Sequence, residues 1–458
     1  MTEAFRSVTV GGLARLALPL AASTGLGFFL QYVNRTVLSW HSPDALAAAL
    51  PAGMLAWTFQ GFVLLTCGYL GVFAAQHVGA GEDDEAGAMV WPMVWFSLIA
   101  TAVCLALIPA RHLIVSIFAT EARVEAPLAE LFGWYLAEAG PMALAGGISG
   151  FCGGIGRTRL VMGISIFGAV LCIALNALLV LGWGPMPALG VTGAGLATLG
   201  TALVVLIVWL LWLFAPAQEA RFRVWGRRNA DVQRLGRFCR FAIPRGATEI
   251  LEMIAFVAFS GVITRLGTTA LAASNLAFNT YLLAIVPVIG FCQGLGIAVG
   301  QAVGEGRPDL ARQAVRSALT LLLPYFAVCM VGFWLIPEWL LAPAKGADAA
   351  LWQEQVTLAV PVMWCLIWLI PVDGLQWIWR FAVQGAGDTR WPMLMVVVLA
   401  AVFLALPAWV VYPYLTDARA GLITCYLLMA AYTTLLAGVM AWRYYRGPWA
   451  AMTVRHPG

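Results

Sequence analysis

Charged residues are scarce in this sequence. Asp, Glu, Lys and Arg make up 10% of its 458 residues, while 62% are hydrophobic and the mean hydropathy is +0.87. Soluble domains carry about 25% charged residues, so this composition excludes a soluble globular protein and indicates an integral membrane protein. Lysine is nearly missing: Lys345 stands alone beside 25 arginines. Histidine is rare as well. His41, His77, His112 and His456 fall at loops or at the ends of apolar runs, without metal-ligand spacing. No GxSxG nucleophile motif occurs either, so a membrane enzyme is disfavoured. The nine cysteines form no CxxC and mostly lie inside apolar runs, which makes them small buried hydrophobes rather than redox centres or metal ligands. There is no GxxxxGK[ST] loop, so ATP is not expected to power the protein directly, and no cofactor is indicated. A cleavable signal is not expected: Met1 to Gly12 is short and polar, and the first apolar run, Leu13 to Val33, is already of spanning length.

Long apolar runs are abundant. Twelve of them, near 13–33, 46–77, 88–109, 127–152, 160–183, 190–214, 239–265, 270–302, 312–336, 351–384, 391–413 and 420–443, predict an all-α polytopic membrane protein with twelve transmembrane helices. A β-barrel would show alternating segments of about ten residues instead. Arginines cluster in the central connector, at Arg221, Arg223, Arg227, Arg228, Arg234, Arg237 and Arg240, and in the tail at Arg443, Arg446 and Arg455. The positive-inside rule therefore places the connector and both termini in the cytoplasm. One loop on that side dissents, because GAGEDDEAG is acidic.

The chain repeats itself. Pro19 pairs with Pro244, Leu46-Ala47-Ala48 with Leu271-Ala272-Ala273, and Gln76, Gly79 and Gly81 with Gln301, Gly304 and Gly306, all at an offset of 225 residues. GGIGRTR (Gly153 to Arg159) pairs with QGAGDTR (Gln384 to Arg390) at 231. Six helices per repeat is an even number, so the halves share one orientation: a parallel repeat of two six-helix bundles. The boundaries that follow are 1–216, a basic connector at 217–238, a second bundle at 239–446 and a tail at 447–458. In QxxGxG the glycines permit a tight helix exit and close approach. In GxGxTR the threonine is expected to cap the next helix.

These paired QxxGxG and GxGxTR loops, with twelve spans, resemble the multidrug and toxin extrusion (MATE) family over nearly the whole chain. PRGATEILE places Glu252 eight residues after Pro244, and IPVDGLQ places Asp373 three before Gln376 and fifteen before Asp388, as in the NorM-like branch. The first helix, with QYVNRTVLSW, and NALLVLGWGPMPALGVTGAGLAT from Asn176 resemble the matching parts of the family. The resemblance implies a secondary antiporter of the inner membrane, a monomer, that exports amphipathic cationic compounds in exchange for Na+ or H+ and binds no nucleic acid.

Acids within spans are costly and mark function or pairing. Glu249 lies four residues after Arg245, which predicts a neutralised pair. Glu252 follows three residues later, too near Glu249 for both to ionise in a poorly solvated place, so one proton or a shared cation is expected there. At the repeat offset these acids correspond to Thr24 and Gly27, so they belong to the second bundle alone. Asp373 and Arg380 share a helix face with room for water or substrate between them. The coupling candidates are Glu252, Asp373 and Glu249, with transient Na+ conceivable at the first two. In the first bundle, where relatives often carry an aspartate in the first helix, this chain has Asn34. Val180 stands where some relatives add another. Asn34, Gln60, Asn176, Thr198, Gln293 and Gln376 are candidates for a polar cavity. Trp57, Tyr281, Trp364, Trp368 and Trp377 are candidates for stacking on cations, or for anchoring in the membrane interface. Glu138, early in its helix, reads as meeting water or a partner helix. Two alternatives remain. A major-facilitator transporter would carry a basic loop after the second helix. A MATE-related flippase of a lipid-linked or anionic metabolite would line its cavity with arginines.

Overall fold

The computed structural model describes residues 8–116, 122–183, 187–228, 231–345, 349–411 and 417–455, and His456 lies outside them. No strand occurs among the described residues. Among the described residues, twelve long helices account for the twelve apolar runs. We label them α1 (Val10–His41), α2 (Pro43–Gly79), α3 (Asp83–Ser116), α4 (Ala122–Gly154), α5 (Thr158–Leu179), α6 (Gly190–Leu213), α7 (Val232–Arg265), α8 (Thr268–Gly304), α9 (Pro308–Leu335), α10 (Ala349–Gly385), α11 and α12 (Ala418–Arg446). Helix α11 is interrupted: Arg390–Leu399 runs through a π-helical segment, Ala400–Ala405, into Leu406–Val411. Ten of the helices are long and apolar enough to cross a membrane. The other two are α4, which carries Arg123, Glu125, Glu130 and Glu138, and the interrupted α11. Both are nevertheless long enough, at 1.5 Å per residue, to complete the set.

The chain forms two compact units. One comprises 1–21, 251–299 and 308–452, and the other 22–250, 300–307 and 453–458. Helices α1 and α7, which begin the two repeats, each contribute to both units.

The glycine pattern explains how the helices approach. In the second unit a Cβ on Gly154 would fall 2.3 Å from the carbonyl oxygen of Gly71. In the first unit a Cβ on Gly385 would fall 2.4 Å from that of Gly296. The two crossings stand at equivalent places in the repeat, and only glycine allows backbones that close. The second glycine of each QxxGxG takes a left-handed conformation, φ +76° at Gly81 and +71° at Gly306, and so do Gly156 (+87°) and Gly387 (+110°) of the GxGxTR pair. These are the tight exits expected from the sequence. The threonines do not cap. Thr158 is already helical, and Thr389 makes no side-chain cap bond at the start of α11.

The acidic loop that dissents from the charge rule is neutralised by the connector. Asp83 meets Arg221 at 2.7 Å, Asp84 meets Arg223 at 3.4 Å, and Glu85 meets Arg227 at 3.1 Å and Arg234 at 3.2 Å. The short connector helix Pro216–Phe222 lies close enough that a Cβ on Gly87 would strike the carbonyl of Phe222. The loop's acids thus serve as a dock for connector arginines.

Candidate functional site

In the first unit two helices bring charge into the apolar interior and a third brings a hydroxyl. Asp373, Gln376 and Arg380 recur at i, i+3 and i+7 on one face of α10, as the helical period requires. Arg380 is fully buried, and its guanidinium donates to Glu252 of α7 at 2.6 Å. The Glu252 side chain remains 25% exposed. Asp373 accepts from the Tyr281 hydroxyl of α8 at 2.6 Å and from the Trp377 indole N–H at 3.3 Å. Trp377 also lies under the guanidinium, 4.7 Å from ring centroid to Arg380 Cζ. A rank of aromatics holds Tyr281 in place: Phe256 packs on Phe278 at 5.0 Å and Phe278 on Tyr281 at 5.7 Å. Gln376 is 1% exposed, and its carbonyl oxygen has no hydrogen-bond partner among the described residues.

This geometry adds partners that local spacing did not indicate for Glu249 and Glu252. Glu249 accepts from the Trp57 indole N–H at 3.1 Å, within the second unit. The indole supplies a donor from a distant helix, and it lies against Gly61, where a Cβ would come within 3.1 Å of the ring. Glu249 and Glu252 accept from separate donors, Trp57 and Arg380. Arg380, which shares a helix face with Asp373, reaches Glu252 of α7. An intrahelical bridge across two turns is long, and α7 offers a nearer acid.

The second unit holds a polar cluster of its own. The Asn176 amide donates to Asn34 Oδ1 at 3.0 Å, and Cys172 lies 3.7 Å from the same oxygen. Gln60 donates to the Tyr135 carbonyl at 2.8 Å, and Thr198 to that of Gly195 at 3.0 Å. Thr198 and Gln60 also lie near Glu138. The sequence reading gave Glu138 little weight, as an acid early in its helix that meets water or a partner from another helix. Its neighbours come from α2 and α6, and the signal that could have found it was the rarity of a carboxylate within a span. Gln293 is half-buried on α8. Trp364 and Trp368 are more than half exposed and stand apart from the charged cluster.

The MatE family profile matches residues 19–178 and 244–410, two segments whose starts are 225 residues apart, the same offset as the repeat. The chain is 27% identical over 424 residues to a probable multidrug resistance protein NorM of Pseudomonas syringae pv. tomato, covering 89% of each. It is 28% identical to the multidrug resistance protein NorM of Burkholderia vietnamiensis, covering 94% of this chain and 93% of that one. Among solved structures it is similar to an outward-facing multidrug resistance MATE family transporter of the MOP superfamily. The TM-score there is 0.87 at 17% identity, covering 99% of this chain and 98% of that one.

Proposed function

The chain belongs to the MatE family, and on that premise we propose that it is a secondary active antiporter exporting amphipathic, cationic organic compounds in exchange for Na+ or H+. The names of its relatives support the export of varied small molecules. The match over both repeats favours this reading over a major-facilitator transporter.

The observation that carries the coupling is the charge balance around Arg380. One guanidinium faces Glu252, while Asp373 stands two turns away with neutral hydrogen-bond donors on it. With all three ionised the cluster bears a net charge of −1. An uncompensated charge in a poorly solvated interior is costly, and one monovalent cation removes that cost. Na+ or H+ entering from outside therefore neutralises the cluster at Asp373 and Glu252. That weakens its hold on a cationic substrate and favours release. When the ion leaves to the cytoplasm, the restored charge attracts the next substrate. One inward charge contributes about 2.3 kcal/mol per 100 mV of membrane potential. In this reading the alternating halves are the repeats 1–216 and 239–446, and the second carries Glu252, Asp373, Gln293 and Gln376. Asn34, Gln60, Asn176 and Thr198 belong to the first repeat, and Glu249, the third coupling candidate, accepts a hydrogen bond from Trp57. The protein works as a monomer in the inner membrane with both termini cytoplasmic. A flippase for anionic cargo would need unbalanced arginine, whereas here acid exceeds base.

Proteoliposomes loaded with a fluorescent cation and given an imposed Na+ or pH gradient test this. Wild type exports along the gradient, while Asp373→Asn and Glu252→Gln lose the gradient dependence at least tenfold. Unchanged dependence in both variants removes the coupling site.

A further inference from the structure

Helices α10 and α12 pack side by side in the first unit, and a groove of about 920 Å³ opens along them. Its walls are Trp364 and Trp368 on one side and Ile423, Leu427, Ala430 and Ala431 on the other. Trp368 is fixed as a wall, because its indole N–H donates to the Thr434 hydroxyl at 3.0 Å. The small alanines opposite leave the space. Trp364, Trp368 and Leu427 are each more than half exposed, so the groove opens outward, towards acyl chains in a bilayer. At one end it runs into a smaller depression of about 190 Å³. The two share Pro361, Trp364 and Arg419, and the smaller adds Glu338, Gln353 and Thr357. The whole is a continuous furrow with a polar head and an apolar tail. From Arg419 to Leu435 it follows α12 for roughly 24 Å at 1.5 Å per residue, which exceeds the depth of one leaflet in a hydrocarbon core of about 30 Å.

We propose that this furrow is a binding site for an aminophospholipid of the phosphatidylethanolamine class. The head carries one guanidinium and one carboxylate, and among the described residues neither Arg419 nor Glu338 is in an ion pair. That set complements a phosphate joined to a primary ammonium. Arg419 takes the phosphate oxygens with charge-assisted bonds, and Glu338, Gln353 and Thr357 accept N–H donors from the ammonium. A choline headgroup offers no N–H to these acceptors. A glycerol headgroup leaves Glu338 without a cation and adds net negative charge beside it. One acyl chain lies along Trp364 and Trp368. The site does not depend on the antiport reading, and it borders α10 a few residues before Asp373.

Native mass spectrometry of the detergent-purified protein with equimolar phosphatidylethanolamine, phosphatidylcholine and phosphatidylglycerol of matched chains tests the proposal. Wild type is expected to retain one phosphatidylethanolamine at least fivefold over either competitor. Arg419→Gln and Glu338→Gln each reduce that preference to within twofold. Ala431→Phe, which fills the groove without touching the head, lowers retention of all three lipids while the protein still elutes as one symmetrical species. Equal retention of the three lipids by wild type overturns the proposal, as does a preference that survives both head variants. A dimer mass that excludes lipid also overturns it and makes the occupant a second copy of the chain.

Discussion

Single side chains determine whether the charged cluster needs an ion. Removing either carboxylate leaves Arg380 with one acid, a neutral cluster that no longer requires a cation. The double variant Glu252→Gln/Asp373→Asn leaves the guanidinium unbalanced at +1. It should therefore bind a cationic dye more weakly than either single variant, by at least fivefold in equilibrium dialysis, because repulsion replaces attraction. Equal affinity in all three variants contradicts the charge argument. Arg380→Leu leaves Glu252 facing apolar side chains without its partner. Breaking a buried pair costs about 3–5 kcal/mol, so this variant should melt well below wild type by fluorescence-detected chromatography. Glu138 has hydroxyl and amide neighbours that can bond an amide as well as an acid. Glu138→Gln should therefore fold normally, and its melting temperature checks that.

At the scale of the helices, glycine governs the repeat. The two QxxGxG motifs clasp each other reciprocally within the second unit. A Cβ on Gly79 would lie 2.2 Å from the carbonyl oxygen of Gln301, and one on Gly304 would lie 2.1 Å from that of Gln76. The Gln301 amide also donates to the Gly154 carbonyl at 3.0 Å, tying the motif to the GxGxTR loop. Gly79→Ala and Gly304→Ala must push rigid backbone apart, so each should lower the melting temperature by several degrees or prevent folding. Gly163, also inside a helix, has open space where a Cβ would go. Gly163→Ala should be neutral or stabilising by up to about 1 kcal/mol through helix propensity. Similar losses at all three sites would mean that close approach is not what these glycines provide.

At the scale of the whole chain, the tail closes over the repeat motifs. The Val454 N–H and the Thr453 hydroxyl donate to Gln76 Oε1 at 2.9 and 3.0 Å. Arg455 donates to Glu82 at 2.7 Å and to the Gly304 carbonyl at 2.9 Å, so it touches both motifs' surroundings at once. Burial pushes Glu82 upward, but hydrogen bonds from His77 and Arg455 and the adjacent guanidinium outweigh it and hold the carboxyl below its ordinary value. A carboxyl lowered on folding stabilises above its unfolded value and loses that contribution as pH falls through the folded one. Glu82 is about one-third exposed, so solvent screening keeps the gain modest. Truncation after Met452 should lower the melting temperature at pH 7, and the difference from the full chain should shrink as pH drops below 4. A difference independent of pH would assign the tail's contribution to the Gln76 bonds alone.

Sequence alone determined the parts that follow from composition and period. Scarce charge and spanning apolar runs make a polytopic helical protein. A constant 225-residue offset sets a parallel repeat, and the glycines that need positive φ are visible as paired motifs. Carboxylates inside apolar runs were also legible as costly, hence as candidates. What they pair with was not. Glu249 accepts from Trp57 and Glu252 from Arg380, donors carried on other helices, and Glu138 lies near Thr198 and Gln60. Local spacing ranks only partners on the same helix. A buried charge takes whichever donor the packing of several helices brings nearest, and that is decided by the tertiary structure.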